Sequence, residues 1–187
     1  MALYLLCLTG CHVRPDQSQF TPITSAGPEE AFAQLRCAKI PGIEGIAAHC
    51  WLVLWDQQQR KWTRWEVWQK ADMGAGLGHV WTRSGAGSAV QGVGAGKSWA
   101  LAQWKGESAL RIRRICSRPE AYPWADTYAY WPGPNSNTYI AWVLLQADVE
   151  ASLPPAAIGA RYLPVYFTGP KCPLDPEGPK KGSADEE

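Results

Sequence analysis

The sequence predicts an α+β domain in which a small antiparallel sheet packs against helices. Two observations carry that expectation. Residues 46–55 and 61–68 are dense in β-branched and aromatic side chains and are joined by a short polar link, Asp56-Gln57-Gln58-Gln59, which makes them a hairpin. Further on, Trp131-Pro132-Gly133-Pro134 can continue neither a helix nor a central strand, so the chain turns there. The apolar run Ile140-Ala141-Trp142-Val143-Leu144-Leu145 then starts behind three polar residues suited to capping a helix, Asn135, Ser136 and Asn137.

The bulk numbers set the frame. At 187 residues the chain has room for one domain with a real core, and we read residues 29–168 as that domain. Hydrophobic residues make up 46%, charged residues 19%, and the net charge is +1. This excludes a disordered chain and gives no sign of a nucleic-acid surface. Eleven tryptophans against three phenylalanines favour half-buried aromatic positions of the kind that line ligand clefts.

Residues 12–28, rich in Pro, Ser, Thr, Gln and Gly, read as a linker. Residues 28–35 form either a short helix or a lead-in strand. The 46–55 strand is apolar on both faces and therefore expected to be buried on both, whereas 61–68 is more polar and expected nearer an edge. The glycine-rich stretch 74–98 reads as a long loop or a pair of weak strands. Within it, Gly92-Val93-Gly94-Ala95-Gly96-Lys97-Ser98 superficially suggests a phosphate loop, but that pattern needs Gly at position 91, which is Gln, so no nucleotide is expected.

Residues 107–116 carry Ala109, Ile112 and Cys116 at helical spacing with arginines between, which predicts a surface helix ended by Pro119. Arg111, Arg113 and Arg114 then form a solvated face. Leu153-Pro154-Pro155-Ala156-Ala157-Ile158-Gly159 is a stiff loop, residues 162–167 an edge strand, and 169–187 a disordered tail. His12, His49 and His79 are scattered and no Cys pair has zinc spacing, so neither a metal nor a cofactor is expected.

The first eleven residues form an apolar segment too short to span a bilayer. Leu8-Thr9-Gly10-Cys11 resembles a bacterial lipobox, although no Lys or Arg precedes the run; the alternative is a hydrophobic N-terminal anchor or strand. The lipobox resemblance implies lipid on Cys11 and a membrane-anchored lipoprotein of the bacterial envelope, facing the periplasm. Cys37, Cys50, Cys116 and Cys172 would remain, and they allow three disulfide pairings.

Trp131-Pro132-Gly133-Pro134-Asn135-Ser136-Asn137-Thr138-Tyr139, with Tyr122-Pro123 before it, the 153–159 loop after it and His49-Cys50-Trp51 on a strand, resembles the bacterial domain-of-unknown-function family 3750. A wider similarity is to the circularly permuted papain-like hydrolases, a group that includes cell-wall amidases. It implies a permuted papain-like architecture in which a histidine strand precedes a helix that carries the nucleophile at its start. Position 136, where this resemblance places Cys, is Ser, whose hydroxyl must lose its proton during attack.

On these grounds Ser136 is the candidate nucleophile and His49 the general base. If the hairpin turns about Gln57-Gln58, opposed residues sum to 115 and Glu66 falls directly across from His49, where it would orient the imidazole. A one-residue slip would turn Glu66 to the other face, and Asn135 or Asn137 are alternative partners for His49. Amides at the helix start, near Ser136 and Asn137, would form the oxyanion site. Asn135, Asn137, Trp51, Trp131 and Tyr139 are the candidate binding residues. The competing roles are structural: Ser136 as a helix N-cap and His49 as a core histidine on a backbone carbonyl. Two functions remain open beside a purely structural envelope role. One is a hydrolase or acyltransferase acting on a small amide or ester; the other is a non-catalytic descendant that binds an envelope ligand or protein.

Overall fold

The computed structural model describes residues 15–71 and 76–163. Cys11, Cys172, the 164–167 part of the expected edge strand and the 169–187 tail lie outside the described residues. Five strands form one sheet: β1 (Phe32–Lys39), β2 (Ala48–Asp56), β3 (Lys61–Val67), β4 (Val80–Ser84) and β5 (Trp99–Lys105). Their spatial order is β4-β3-β2-β1-β5, and every neighbouring pair is antiparallel. Three helices accompany them, α1 (Ala86–Val90), α2 (Gly106–Cys116) and α3 (Ser136–Gln146). The fold is therefore α+β.

Strand β2 is the centre of the sheet and is buried along nearly its whole length, as its unbroken apolar pattern requires. Alternation sends Ala48, Cys50, Leu52 and Leu54 to one face, where they join Ile112 and Ile115 of α2 and Ile140 and Val143 of α3 in the main core. Trp51, Val53 and Trp55 go to the other face and meet Phe32, Trp62 and Ala89 in a smaller cluster.

Strand β3 lies nearer an edge than β2, as expected, although it is internal, between β2 and β4; its polarity reflects buried charge, since Arg64 is 1% and Glu66 0% exposed. Three expectations need correction. The glycine-rich stretch contains β4 and the short helix α1. A strand, β5, follows it where none was expected, pairing with β1 through a register shift at Leu101. Finally, the described part of the 12–28 segment packs on the sheet instead of hanging free: Gln17 Oε1 accepts from Ala100 N, Gln34 Nε2 donates to Thr21 O, and Trp62 Nε1 donates to Thr24 O. Gly27 lies so close to the Trp55 ring that a Cβ there would sit about 2.1 Å from it.

Of residues 28–35, the last four are the first half of β1, so the strand alternative holds, and α2 presents Ala109, Ile112 and Cys116 inward as its spacing predicts. Its arginines are tied down: Arg111 Nε donates to Ala147 O, Arg113 pairs with Asp56 and Arg114 with Glu107. Cys37 and Cys50 are opposed across β1 and β2 as free thiols with Sγ atoms 2.9 Å apart, and Cys116 is also free. Among the described residues no helix is long and apolar enough to cross a membrane.

Ile112 is fully enclosed between sheet and helix α3. Truncating it to Ala should lower unfolding free energy by about 2–5 kcal/mol, read as a reduced urea midpoint with an unchanged slope.

Candidate functional site

The site lies where β3 parts from β2. The two strands stay paired from Asp56↔Lys61 to Leu52↔Trp65, and opposed residues sum to 117 rather than 115 because the turn is centred one residue later than expected. A shift of two in that sum preserves side-chain parity. His49 and Glu66 therefore stay on one face as diagonal neighbours, and the imidazole Nε2 reaches Glu66 Oε2 at 2.7 Å. Trp68, just past the end of β3, packs against the His49 ring with centroids 5.0 Å apart, while Trp51 stacks on it from within β2 at 5.8 Å.

Glu66 is the hub of the arrangement. Besides His49 it accepts from Arg64 Nη2 at 2.6 Å and from Arg83 Nη2 at 3.0 Å. Burial alone would raise its carboxyl pKa. The hydrogen bond and charge of His49, with the charge and hydrogen bond of Arg64, outweigh that and hold it down at about 2. Arg64 is itself buried, lies 3.8 Å over the Trp51 ring, and donates through Nη1 to the carbonyls of Ser88 and Gln91. Arg36, opposite Trp51 on the same face, is pushed down to about 10 by burial and then by the neighbouring charge of Arg64. An ionised carboxylate only accepts, so His49 Nε2 carries the hydrogen and, in the neutral ring, Nδ1 holds the lone pair. Nδ1 has no hydrogen-bond partner among the described residues.

Asn135 caps helix α3. Its side-chain oxygen accepts from the backbone of Asn137 and Thr138, Thr138 Oγ1 accepts from Asn135 N, and the same hydroxyl donates to Gly159 O. Gly159 must be glycine on two counts: its φ is +90°, and a Cβ would fall 2.3 Å from the Asn135 carboxamide.

Asn137 has a different task. Its Oδ1 accepts from Cys50 N at 3.0 Å, and its Nδ2 donates to Ala48 O at 2.9 Å and Ile158 O at 2.8 Å. Ala48 N donates to Ala156 O. The carboxamide of Asn137 thus satisfies backbone groups of β2 just beyond the last residue pair with β3, and it pins the start of α3 against the strand that carries His49.

These facts decide several expectations. Ser136 is not the cap: it occupies the first helical position, and its hydroxyl makes no hydrogen bond among the described residues. His49 is held by a carboxylate, not by a carbonyl, and neither Asn135 nor Asn137 is its partner. The amide of Asn137 is consumed by the cap and leaves the oxyanion role to other donors, Ser136 N being uncommitted among the described residues. Trp51 and Tyr139 are 0% exposed and line no cavity described here, so they support the site without facing a ligand.

Ser136 and His49 line the same cavity, of about 430 Å³, together with Asn135, Asn137, Trp68, Tyr128, Tyr130 and Trp131 and with Ile40, Ile43 and Ile158. No hydrogen bond joins Ser136 to His49. A second cavity of about 480 Å³ is lined by Trp131, Pro132 and the 153–162 loop. Among the described residues no group of three or more His, Cys, Asp or Glu side chains is placed to hold a metal ion.

The architecture is thus an α+β domain whose central strand and helix start jointly frame a cleft containing one histidine and one serine. The chain belongs to the family described as "Protein of unknown function (DUF3750)", whose profile matches residues 30–162. That span holds the five strands, the three helices and the cleft. Neither a curated protein nor a solved structure matches the chain.

Sequence reasoning missed Arg64 and Arg83. Arg64 was readable, because a residue two before Glu66 on a strand shares its face. Arg83 was not, since it enters through β4, whose glycine-rich surroundings hide its register.

Replacing Glu66 by Gln leaves Arg64 and Arg83 without their shared counter-charge and should cost about 3–5 kcal/mol, seen as a lower urea midpoint at pH 7. The Glu66 carboxyl is held at about 2 against an ordinary 4.5. Its stabilisation is therefore complete above pH 4.5 and is lost as pH falls toward 2. The gap in urea midpoint between wild type and variant should close over that interval.

Proposed function

We propose that the protein is a cell-envelope hydrolase or acyltransferase acting on an amide or ester, with Ser136 as nucleophile and His49 as general base. The observation that carries this reading is that the two side chains line one cavity while Glu66 holds Nε2 of the imidazole. Ser136 Oγ attacks the substrate carbonyl and its proton passes to His49 Nδ1. The imidazolium, stabilised by Glu66, then protonates the leaving alcohol or amine, and water or a second acceptor releases the acyl group from Ser136. At the first position of α3 the hydroxyl sits at the positive end of the helix dipole, and the Ser136 amide is placed to serve the developing oxyanion.

The order in the chain, histidine on β2 before the nucleophile on α3, is in keeping with a permuted papain-like arrangement. The envelope location rests on Leu8-Thr9-Gly10-Cys11, with lipid on Cys11. A second reading, a non-catalytic papain-like descendant that binds an envelope ligand or protein, draws on Ser standing at position 136 where that resemblance places Cys.

Ser136→Ala should reduce ester turnover by at least a hundredfold while leaving the circular dichroism spectrum and urea midpoint in place. A fluorophosphonate probe should modify Ser136 in the wild type and nothing in His49→Gln, as read by peptide mass. Undiminished turnover in Ser136→Ala would end the catalytic reading and leave the binding domain.

A further inference from the structure

Resting on the proposed chemistry at Ser136 and His49, we infer that the cleft holds an uncharged alkyl chain, so that the substrate is the ester or amide of a fatty acid. The lining is what selects this class. Among the described residues no Asp, Glu, Lys or Arg faces the cavity. Ile40, Ile43, Val67, Trp68 and Ile158 form much of its apolar wall.

Polar side chains are present, but most are already committed within the protein. Asn135 is spent on the α3 cap and Tyr130 O, Asn137 on β2 and Ile158 O, and Gln69 accepts from Tyr130 Oη. Tyr128, pushed up to about 12 by burial and by Tyr130, stays neutral. A sugar or a peptide brings several hydroxyl or amide groups that each need a partner once out of water. Besides Ser136 and His49, which the proposed reaction uses at the scissile carbonyl, the Trp68 indole N–H and the Tyr128 hydroxyl are left to meet them, fewer groups than a sugar or peptide brings. An alkyl chain asks for no further partner.

The mouth supports the same class. Ile43 is 45%, Tyr130 65% and Trp131 77% exposed where they border the cavity, and Ile46, in the same 40–47 turn as Ile43, is 67% exposed. The cavity volume of about 430 Å³ lies within the range of small-molecule sites.

The test uses the full chain and two independent readouts. The first is a series of p-nitrophenyl esters from acetyl to palmitoyl. Each added methylene should raise kcat/KM by about fourfold until the cavity is full, the factor that corresponds to burying one CH₂. The second is N-dansyl-undecanamide, a neutral alkyl probe, followed by energy transfer from tryptophan. It should bind to wild type and to Ser136→Ala alike, and Ile43→Asp, which places a charge at the open rim, should weaken it at least tenfold. Trp131→Gln is the second rim variant should Ile43→Asp fail to fold, with the same loss expected. Binding without turnover of any ester would leave the alkyl cleft standing and remove the catalytic role of Ser136. Turnover that depends on Ser136 but is flat or falling with chain length, or no binding of the dansyl amide, overturns the alkyl inference and leaves the hydrolase reading intact.

Discussion

The buried carboxylate of Glu66 is the constraint on which the rest of the structure turns. An ionised acid in a packed interior is tolerable only when its oxygens are met by well-placed donors, and here three are supplied from three strands: His49 from β2, Arg64 from β3 itself and Arg83 from β4. That requirement links the register of the central strands to the orientation of the imidazole. It also explains why β3 keeps a polar pattern in the interior of the sheet. Arg64 extends the network outward through Ser88 and Gln91, so the short helix α1 is placed by the same charge that places His49.

A second device works from the opposite side of β2. Helix α3 is fixed at its first turn by side chains acting in sequence: Asn135 closes the cap, Asn137 grips β2, and Thr138 reaches the loop at Gly159. Each of the three polar residues that flank Ser136 therefore has a structural occupation, which leaves the serine hydroxyl as the polar side chain of 135–138 without a partner among the described residues. The long Trp-Pro-Gly-Pro-Asn-Ser-Asn-Thr signature is largely a scaffold for a single hydroxyl.

How far this was legible from the residues depends on the range of the interaction. Local chemistry was readable: the central strand, the start of α3 and the inward stripe of α2 follow from apolar spacing and capping. The His49 and Glu66 pairing was reached through an incorrect register, and it survived because the error was two residues and strand faces repeat every two. Tertiary context hid the rest. The polar 17–28 stretch packs because its side chains answer sheet groups that composition does not reveal. Three of the seven residues of strand β5 are alanine or glutamine, and it gains its place from β1. The cleft walls come from segments near residues 40, 68, 93, 130 and 158, a gathering that only the folded chain specifies.

The carboxamide of Asn137 has one more consequence. Where β3 departs, an open sheet margin would ordinarily be an invitation for a foreign extended segment to dock by main-chain pairing. Ala48 and Cys50 are already engaged there by Asn137 and Ala156. The margin is sealed from within, so that an extended segment entering the cleft finds these groups of β2 already paired.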